Sequence, residues 1–241
     1  MTPYARAMVR LFGAVVVNID YRLAPQHKFP TSHNDAWDSL KWLAAHASEL
    51  GADPAKGFIV GGISAGGNLS AALSTLSIEE KLNPPLTGQW LCVPAIFNDG
   101  SDVPEKYQKY FLSRKHNENA PILDGAALRA LKQHTEWDEE SPLRCPHLSR
   151  VPLSKLPPTY FQSDGLDPLR DDALIYEEML KEAGVKTKID LYPGAPHGHF
   201  AFMPGLDISN KALADIVVGV GWLLGKQVFA EEALTAYAAS S

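Results

Sequence analysis

The most constraining feature of the sequence is a glycine-flanked serine that lies between two different apolar patterns. Residues 57–60 form a short apolar run, and residues 68–73 have the spacing of apolar positions that is typical of a helix. Between them, residues 62–66 read Gly-Ile-Ser-Ala-Gly. This order predicts a strand, a sharp turn at Ser64 and a helix, which is the G-x-S-x-G pattern of a nucleophile elbow.

The chemistry of such an elbow depends on residue type. A serine on a strained strand-to-helix turn points its hydroxyl away from the sheet, and small residues at Gly62 and Gly66 are expected to let strand and helix approach each other. The helix N-terminus, with the N–H groups of Ala65 and Gly66, is predicted to face a developing oxyanion and the substrate. Short Gly/Ser patterns also occur by chance, so the alternative is a glycine-rich connection without chemistry.

Composition narrows the class of protein. The 241 residues are 45% hydrophobic and 21% charged, which is typical of one globular α/β domain. The net charge of −6 argues against an electrostatic nucleic-acid partner. Cys92 and Cys145 are too few for a disulfide framework, which predicts a reducing, cytoplasmic compartment. The sequence has no apolar run of the roughly 18 residues that a membrane helix needs, so no membrane partner is expected.

Strand and helix patterns alternate along the chain. Apolar runs predict strands at residues 14–19, 58–61, 89–97, 159–162 and 187–192. Helical patterns cover residues 3–12, 31–50, the elbow to about 82, 172–184 and a terminal helix at 210–224. This alternation predicts the α/β class with a doubly wound, mostly parallel sheet. Residues 98–156 are polar with short helical patches, and we predict a partial lid inserted into a single domain of residues 1–241.

Three predicted strand ends carry the residue types of a nucleophilic triad. In chain order they are Ser64, Asp167 and His197, and the carboxyl ends of parallel strands meet at one edge of a sheet. The order Ser, acid, His is the one expected of α/β hydrolases. Ser64 would attack a carbonyl, His197 would accept and return the proton, and Asp167 would orient the imidazole.

Each partner of Ser64 has an alternative. The other nearby carboxylates are Asp164, Asp171 and Asp172. Asp167 precedes a proline and could be a turn residue. His199 is the alternative base; we prefer His197 because it lies closer to the strand end and precedes a glycine. An H-x-H pair can bind metal, but no other His, Cys or carboxylate has ligand spacing with it, so we expect neither a metal nor a cofactor.

Six words in the right order carry a family resemblance over residues 13–224. They are Asp-Tyr-Arg-Leu-Ala-Pro at 20–25, Gly-Ile-Ser-Ala-Gly-Gly at 62–67, Ser-Pro-Leu at 141–143, Leu-Pro-Pro-Thr-Tyr at 156–160, Gly-Leu-Asp-Pro-Leu-Arg-Asp-Asp at 165–172, and Tyr-Pro-Gly at 192–194 with His-Gly at 197–198. With these words the chain resembles the hormone-sensitive-lipase-like (family IV) α/β-hydrolase carboxylesterases.

The resemblance implies an α/β-hydrolase fold and a serine esterase that cleaves short acyl or aryl carboxylic esters through an acyl-enzyme. It assigns Ser64, Asp167 and His197 to the triad. It also implies that the partner is a small-molecule ester, that there is no cofactor, and that the protein is a monomer or a homodimer.

The sequence departs from the family pattern in several places. Ile63 stands where the family usually has Asp, and Gln26 where it has Glu. The family's His-Gly-Gly-Gly word, which supplies most of its oxyanion hole, is absent, as are its first three strands. In the family, one of those strands lies between the segments that correspond to residues 14–19 and 57–61. Without it both segments lose a pairing partner, so we expect either that they pair directly with each other, or that something else fills the gap, or that the sequence is an incomplete product.

The departures bear on the expected activity. Losing one oxyanion donor costs on the order of 10²–10³ in turnover, so ester hydrolysis is expected to be impaired by the missing loop. Two alternatives remain open: a non-catalytic small-molecule binding protein on a hydrolase scaffold, and an inactive truncated product.

Overall fold

A parallel sheet of four strands forms the centre of the computed structural model, which describes residues 3–239. The strands, side by side in chain order, are β1 (Ile59–Ile63), β2 (Gly88–Cys92), β3 (Thr159–Asp164) and β4 (Thr187–Tyr192). In the register of the sheet, Ile59 pairs with Gly88, Gln89 with Thr159, and Thr159 with Thr187. Because the strands are parallel, their carboxyl ends meet at one edge.

Helices precede, connect and follow the strands. Their bounds are α1 (Pro3–Phe12), α2 (Thr31–His46), α3 (Ala65–Glu79), α4 (Glu105–Gln108), α5 (Ser113–His116), α6 (Gly125–Thr135), α7 (Arg170–Glu182), α8 (His199–Phe202), α9 (Asp207–Leu223) and α10 (Ala230–Ala238). Single 3₁₀ turns lie at Pro54–Lys56, Pro146–Leu148 and Leu153–Lys155.

Side chains alternate between the two faces of the sheet, and each face has its own apolar core. Leu91 and Phe161 pack with α3 and α7 on one face. Trp90 and Tyr160 pack with α1 and α9 on the other. A Cβ atom at Gly219 of α9 would lie 2.0 Å from Tyr160 Cε1, so only glycine permits this close approach. Helices therefore cover both faces of a parallel sheet, as the doubly wound prediction required.

The prediction of a strand at residues 14–19 is wrong. Residues 14–20 have no strand assignment, and within the described part of the chain their backbone N–H groups find no hydrogen-bond acceptor. A groove of about 730 Å³ separates this segment from β1, with Val15, Val17 and Gly61 among its lining residues. β-branched residues favour a strand only where a neighbouring strand completes the hydrogen-bond ladder, and no strand of residues 3–239 lies beside this segment.

Several other boundaries differ from the predictions. The strand expected at residues 89–97 ends at Cys92, because Val93 has a positive φ of 41° and a proline follows it. Helix α2 ends at His46 rather than at residue 50. The helix predicted as terminal is α9, and α10 follows it, packing small residues such as Ala233 against α1 and α9.

The polar stretch at residues 98–156, called the insertion below because it lies between β2 and β3, contains α4, α5 and α6 and adds no strand to the sheet. It is tied to the sheet through α7: both the Leu112 and Ser113 N–H groups donate to Asp171 Oδ2 at 2.6 Å. Cys92 and Cys145 are buried and form no disulfide. None of the helices between residues 3 and 239 is both long enough and apolar enough to cross a membrane.

Candidate active site

Ser64 stands on a strained turn between β1 and α3. Its backbone has φ 57° and ψ −113°, a region that non-glycine residues rarely adopt. Such a conformation costs on the order of 1–3 kcal/mol and persists only where the surrounding structure imposes it. The Ser64 N–H donates to Cys92 O at 2.8 Å, and the Asn68 N–H donates to Ser64 O at 3.0 Å. The turn is therefore held at both ends, by β2 and by the first turn of α3.

The turn requires glycine at position 62, as expected, but not at position 66. A Cβ atom at Gly62 would lie 2.4 Å from the carbonyl carbon of Gly66, so position 62 must be glycine for strand and helix to meet. A Cβ atom at Gly66 would have no atom within 4 Å, so the expectation that Gly66 must also be small is wrong. The second close approach involves Gly67, where a Cβ would lie 3.1 Å from Pro94 Cα.

Two further side chains continue from Ser64 in a chain of hydrogen bonds. His197 Nε2 lies 2.9 Å from Ser64 Oγ, and His197 Nδ1 lies 2.7 Å from Asp167 Oδ2. The other carboxylate oxygen, Asp167 Oδ1, accepts the Leu169 N–H at 2.8 Å. Asp167 is fully buried and His197 is 8% exposed, so both side chains are shielded from solvent. The three residues follow the carboxyl ends of β1, β3 and β4.

The geometry fixes the proton positions that the network favours. An ionised carboxylate can only accept, so His197 Nδ1 carries the hydrogen that Asp167 receives. The lone pair of Nε2 then faces the Ser64 hydroxyl. This is the tautomer in which an imidazole can take a proton from that hydroxyl.

The other histidine and the other carboxylates have different partners. His199 Nδ1 lies 3.1 Å from Asp164 Oδ1, and its Nε2 approaches Ile208 O at 3.3 Å. Asp164 Oδ2 also accepts the Gly198 N–H at 2.8 Å, which holds the loop that carries His197.

Asp171 and Asp172 point toward the insertion instead. Asp172 Oδ1 accepts the Ile96 and Phe97 N–H groups, at 2.8 and 2.9 Å. Burial raises the pKa of Asp172 to about 6, and the Arg114 guanidinium opposes that shift. Of the carboxylates considered from the sequence, Asp167 is the one that the structure brings to His197.

Comparison with known proteins places this geometry in a family. A family model described as the α/β hydrolase fold matches residues 1–201. The chain belongs to the α/β-hydrolase family.

Two curated relatives and one solved structure illustrate the membership. The chain is 41% identical over 213 residues to an AB hydrolase superfamily protein of Schizosaccharomyces pombe, an alignment that covers 88% of this chain and 62% of the relative. It is 39% identical over 215 residues to the versiconal hemiacetal acetate esterase of Dothistroma septosporum, covering 88% of this chain and 65% of that enzyme. A hyperthermophilic esterase from the archaeon Pyrobaculum calidifontis superposes with a TM-score of 0.80 at 33% identity, covering 91% of this chain and 70% of that one.

These findings confirm the α/β-hydrolase fold and the resemblance to hormone-sensitive-lipase-like carboxylesterases. The hydrolase spans less than two thirds of the length of the two curated relatives.

A cavity of about 850 Å³ opens above Ser64 in this hydrolase. Residues 21–33, the start of α3 and the insertion form its wall, and Ala65 is part of it. Gly66, the second residue predicted to face substrate, lines the groove beside β1 instead. Within residues 3–239, no group of three or more His, Cys, Asp and Glu side chains is arranged to hold a metal ion.

Part of the cavity wall escaped the sequence analysis. His33 Nε2 lies 3.1 Å from Asn68 Oδ1, and Asn68 Nδ2 donates to Ala95 O at 2.7 Å and to Arg144 O at 2.8 Å. All four residues are widely separated in sequence, so spacing gives no signal for the cluster. The available signal was Asn68, which follows Ser64 by one helical turn and therefore shares its face of α3.

Proposed function

We propose that this α/β-hydrolase cleaves carboxylic esters through Ser64, His197 and Asp167. The observation that carries the proposal is the continuous chain of hydrogen bonds from Ser64 Oγ through the imidazole to the buried Asp167 carboxylate. The esterases among its relatives support the reaction class. The proposed partner is a small-molecule ester with a short acyl or aryl group.

The proposed reaction has two halves. Ser64 Oγ attacks the ester carbonyl carbon while its proton passes to His197 Nε2. The imidazolium then gives that proton to the departing alkoxide, which leaves an acyl group on Ser64. A water molecule next attacks the acyl carbon, His197 accepts its proton, and the carboxylic acid departs as Ser64 regains its hydrogen. Asp167 stabilises the imidazolium in both halves and stays ionised.

The oxyanion is proposed to face the N-terminus of α3. The Ala65 N–H is the first backbone donor after Ser64, and α3 directs the positive end of its dipole toward the same point. The 241-residue sequence contains no His-Gly-Gly-Gly word. We therefore propose that this chain turns over more slowly than it would with a further backbone donor in place, by a factor on the order of 10²–10³.

The test uses a fluorophosphonate probe, which labels a serine only when a base activates it. We expect the chain to be labelled at Ser64, and we expect Ser64→Ala to abolish labelling. His197→Ala should slow labelling by about 10³-fold or more, because the general base is lost. Ser70→Ala is the matched control: this buried serine lies on the same helix and donates to Gly66 O, so the labelling rate should be unchanged.

Turnover of p-nitrophenyl acetate then tests the oxyanion proposal. The 241-residue chain is compared with the same chain extended at its N-terminus by the strand and His-Gly-Gly-Gly loop of a close relative. Faster release of p-nitrophenolate by the extended form, with both forms dependent on Ser64, is the expected result. Equal rates would contradict the proposal about the oxyanion, and labelling that survives Ser64→Ala would contradict the proposed nucleophile.

A further inference from the structure

Arg144 is a buried cation in the wall of the cavity above Ser64. It is only 6% exposed. Two of its five N–H groups have partners: Nη1 donates to Ala95 O at 3.1 Å and Nη2 donates to Phe97 O at 3.4 Å. Burial lowers the pKa of this guanidinium, although arginine remains protonated in proteins. The structure thus keeps a full positive charge away from solvent.

No carboxylate of the described residues 3–239 forms an ion pair with Arg144. The other arginine and lysine side chains of the cavity wall are paired: Arg22 with Asp35, Arg114 with Asp172, Arg129 with Glu118 and Lys132 with Glu139. The charges of Asp172 and Asp102 both act on Arg144, but Asp172 contacts Arg114 at 3.1 Å and Asp102 accepts the Asn98 N–H. A buried charge without a counter-ion is costly, so the position of Arg144 calls for an anion.

A second unused donor lies beside this guanidinium. The Arg144 guanidinium stacks on the Trp137 ring, with 4.4 Å between the guanidinium carbon and the ring centroid. Trp137 Nε1 is buried and has no hydrogen-bond partner among residues 3–239, and Trp137 lines the same cavity. An indole N–H can only donate. The wall therefore combines a cation and an adjacent neutral donor, both of which need an acceptor.

These donors are close in the fold to the nucleophile. Asn68 follows Ser64 by one turn of α3, and its side-chain amide donates to both Ala95 O and Arg144 O. Ala95 O also accepts from the Arg144 guanidinium. The guanidinium is thereby held beside the first turn of α3, which follows Ser64. One turn of an α-helix rises about 5.4 Å. Ser64 and Arg144 line the same cavity, so the acyl chain of an ester bound at Ser64 can extend toward the guanidinium.

We propose that the cavity selects esters whose acyl group ends in a carboxylate, such as a half-ester of a short dicarboxylic acid. The carboxylate would accept charge-assisted hydrogen bonds from Arg144 and a further one from Trp137 Nε1. This inference rests on the proposed ester hydrolysis and adds the class of substrate. It makes Arg144 a specificity-determining residue that acts on the far end of the acyl chain.

The kinetic test compares two substrates of one shape: the mono-p-nitrophenyl ester of glutaric acid and p-nitrophenyl 5-methylhexanoate, in which an isopropyl group replaces the carboxylate. We expect kcat/KM to favour the glutarate ester by about tenfold or more, the size expected for a hydrogen bond to a charged group. Arg144→Gln should remove that preference. The control Arg129→Gln removes an exposed cation of the same wall and should leave the ratio unchanged.

Trp137→Phe gives a milder variant, because it keeps an aromatic ring for stacking and deletes only the N–H donor. It should reduce the preference for the glutarate ester by a smaller factor than Arg144→Gln. If Arg144→Gln does not fold, Trp137→Phe decides the matter, and an unchanged ratio in that variant overturns the proposal.

Binding gives a readout that does not need turnover. Calorimetry on Ser64→Ala compares monomethyl glutarate with methyl 5-methylhexanoate, and we expect about tenfold tighter binding of the former, lost with Arg144→Gln. Ser64-dependent hydrolysis without a carboxylate preference would overturn this inference and leave the proposed function standing. If the chain binds monomethyl glutarate through Arg144 but hydrolyses neither p-nitrophenyl ester, the proposed ester hydrolysis is wrong and the carboxylate site stands.

Discussion

At the scale of single residues, His33 is held uncharged by its surroundings in the cavity wall. It is 7% exposed, and burial together with the nearby Arg144 charge lowers its pKa from 6.5 to about 4, against the opposing effect of its hydrogen bond to Asn68. Between these two pKa values the unfolded chain binds a proton at this ring and the folded chain does not. Folding free energy is therefore lost as the pH falls from 6.5 toward 4.

The measurement is urea unfolding at pH 7 and pH 5. His33→Gln, which keeps a polar group beside Asn68 but cannot titrate, should lose less stability than the wild type over this interval, by about 2 kcal/mol. His134→Gln serves as control because His134 is an exposed histidine, and it should follow the wild type. If His33→Gln and the wild type lose the same free energy, His33 is not buried in its neutral form.

At the scale of elements, β1 has one unpaired edge. β2 pairs with one side of β1, and the groove beside the extended residues 14–20 lies on the other. Val15 and Val17 on that segment are 45% and 47% exposed. Unpaired backbone groups beside exposed β-branched residues form a template for pairing with another chain.

We expect the 241-residue chain to self-associate in a concentration-dependent way, as measured by sedimentation velocity. Val15→Lys combined with Val17→Lys should shift the distribution toward monomer, because charges on an edge oppose pairing. Leu206→Lys combined with Phe229→Lys adds the same charge at side chains that are 51% and 62% exposed and do not line the groove. Equal effects of the two pairs would show that net charge, not the edge, controls association.

At the scale of the whole molecule, the insertion is coupled to the sheet through the first turn of α7. Asp171 Oδ2 accepts two backbone N–H groups of the insertion, those of Leu112 and Ser113. The Ser113 hydroxyl also donates to Pro168 O at 2.8 Å, close to the loop that carries Asp167. Residues 112–113 are therefore connected to α7 by two hydrogen bonds to a carboxylate and to the loop of Asp167 by one neutral hydrogen bond.

Hydrogen exchange can test this coupling. Asp171→Ala should lower the protection of the Leu112 and Ser113 amides by about tenfold or more and reduce the unfolding free energy by about 1–3 kcal/mol, because two donors lose a charged acceptor. Asp124→Ala is the control within the same insertion, since Asp124 accepts the Ala127 N–H at the start of α6. It should affect exchange in α6 and leave Leu112 and Ser113 protected.

Most of the strands and helices, and the turn at Ser64, could be predicted because the sequence patterns that specify them are local. The G-x-S-x-G word places Ser64 between β1 and α3, since the backbone strain and the need for glycine at position 62 both arise within a few residues. Four of the five predicted strands are present; the one predicted at residues 187–192 has the predicted ends, and the other three differ at one or both ends. Asp167 and His197 follow the ends of β3 and β4, and their meeting with Ser64 follows from the parallel arrangement of the strands.

Local sequence patterns were therefore enough to predict most of the helices and strands and the residue types at the strand ends. The tertiary structure decided the features that depend on contacts between distant segments. Residues 14–19 have the composition of a strand but form none, because a strand exists only with a partner for its backbone. The environment of Arg144 could not be predicted from the sequence either. Its burial, its stacking on Trp137 and its lack of a carboxylate partner among residues 3–239 all depend on which distant segments pack together, and the spacing of residues along the chain does not show this.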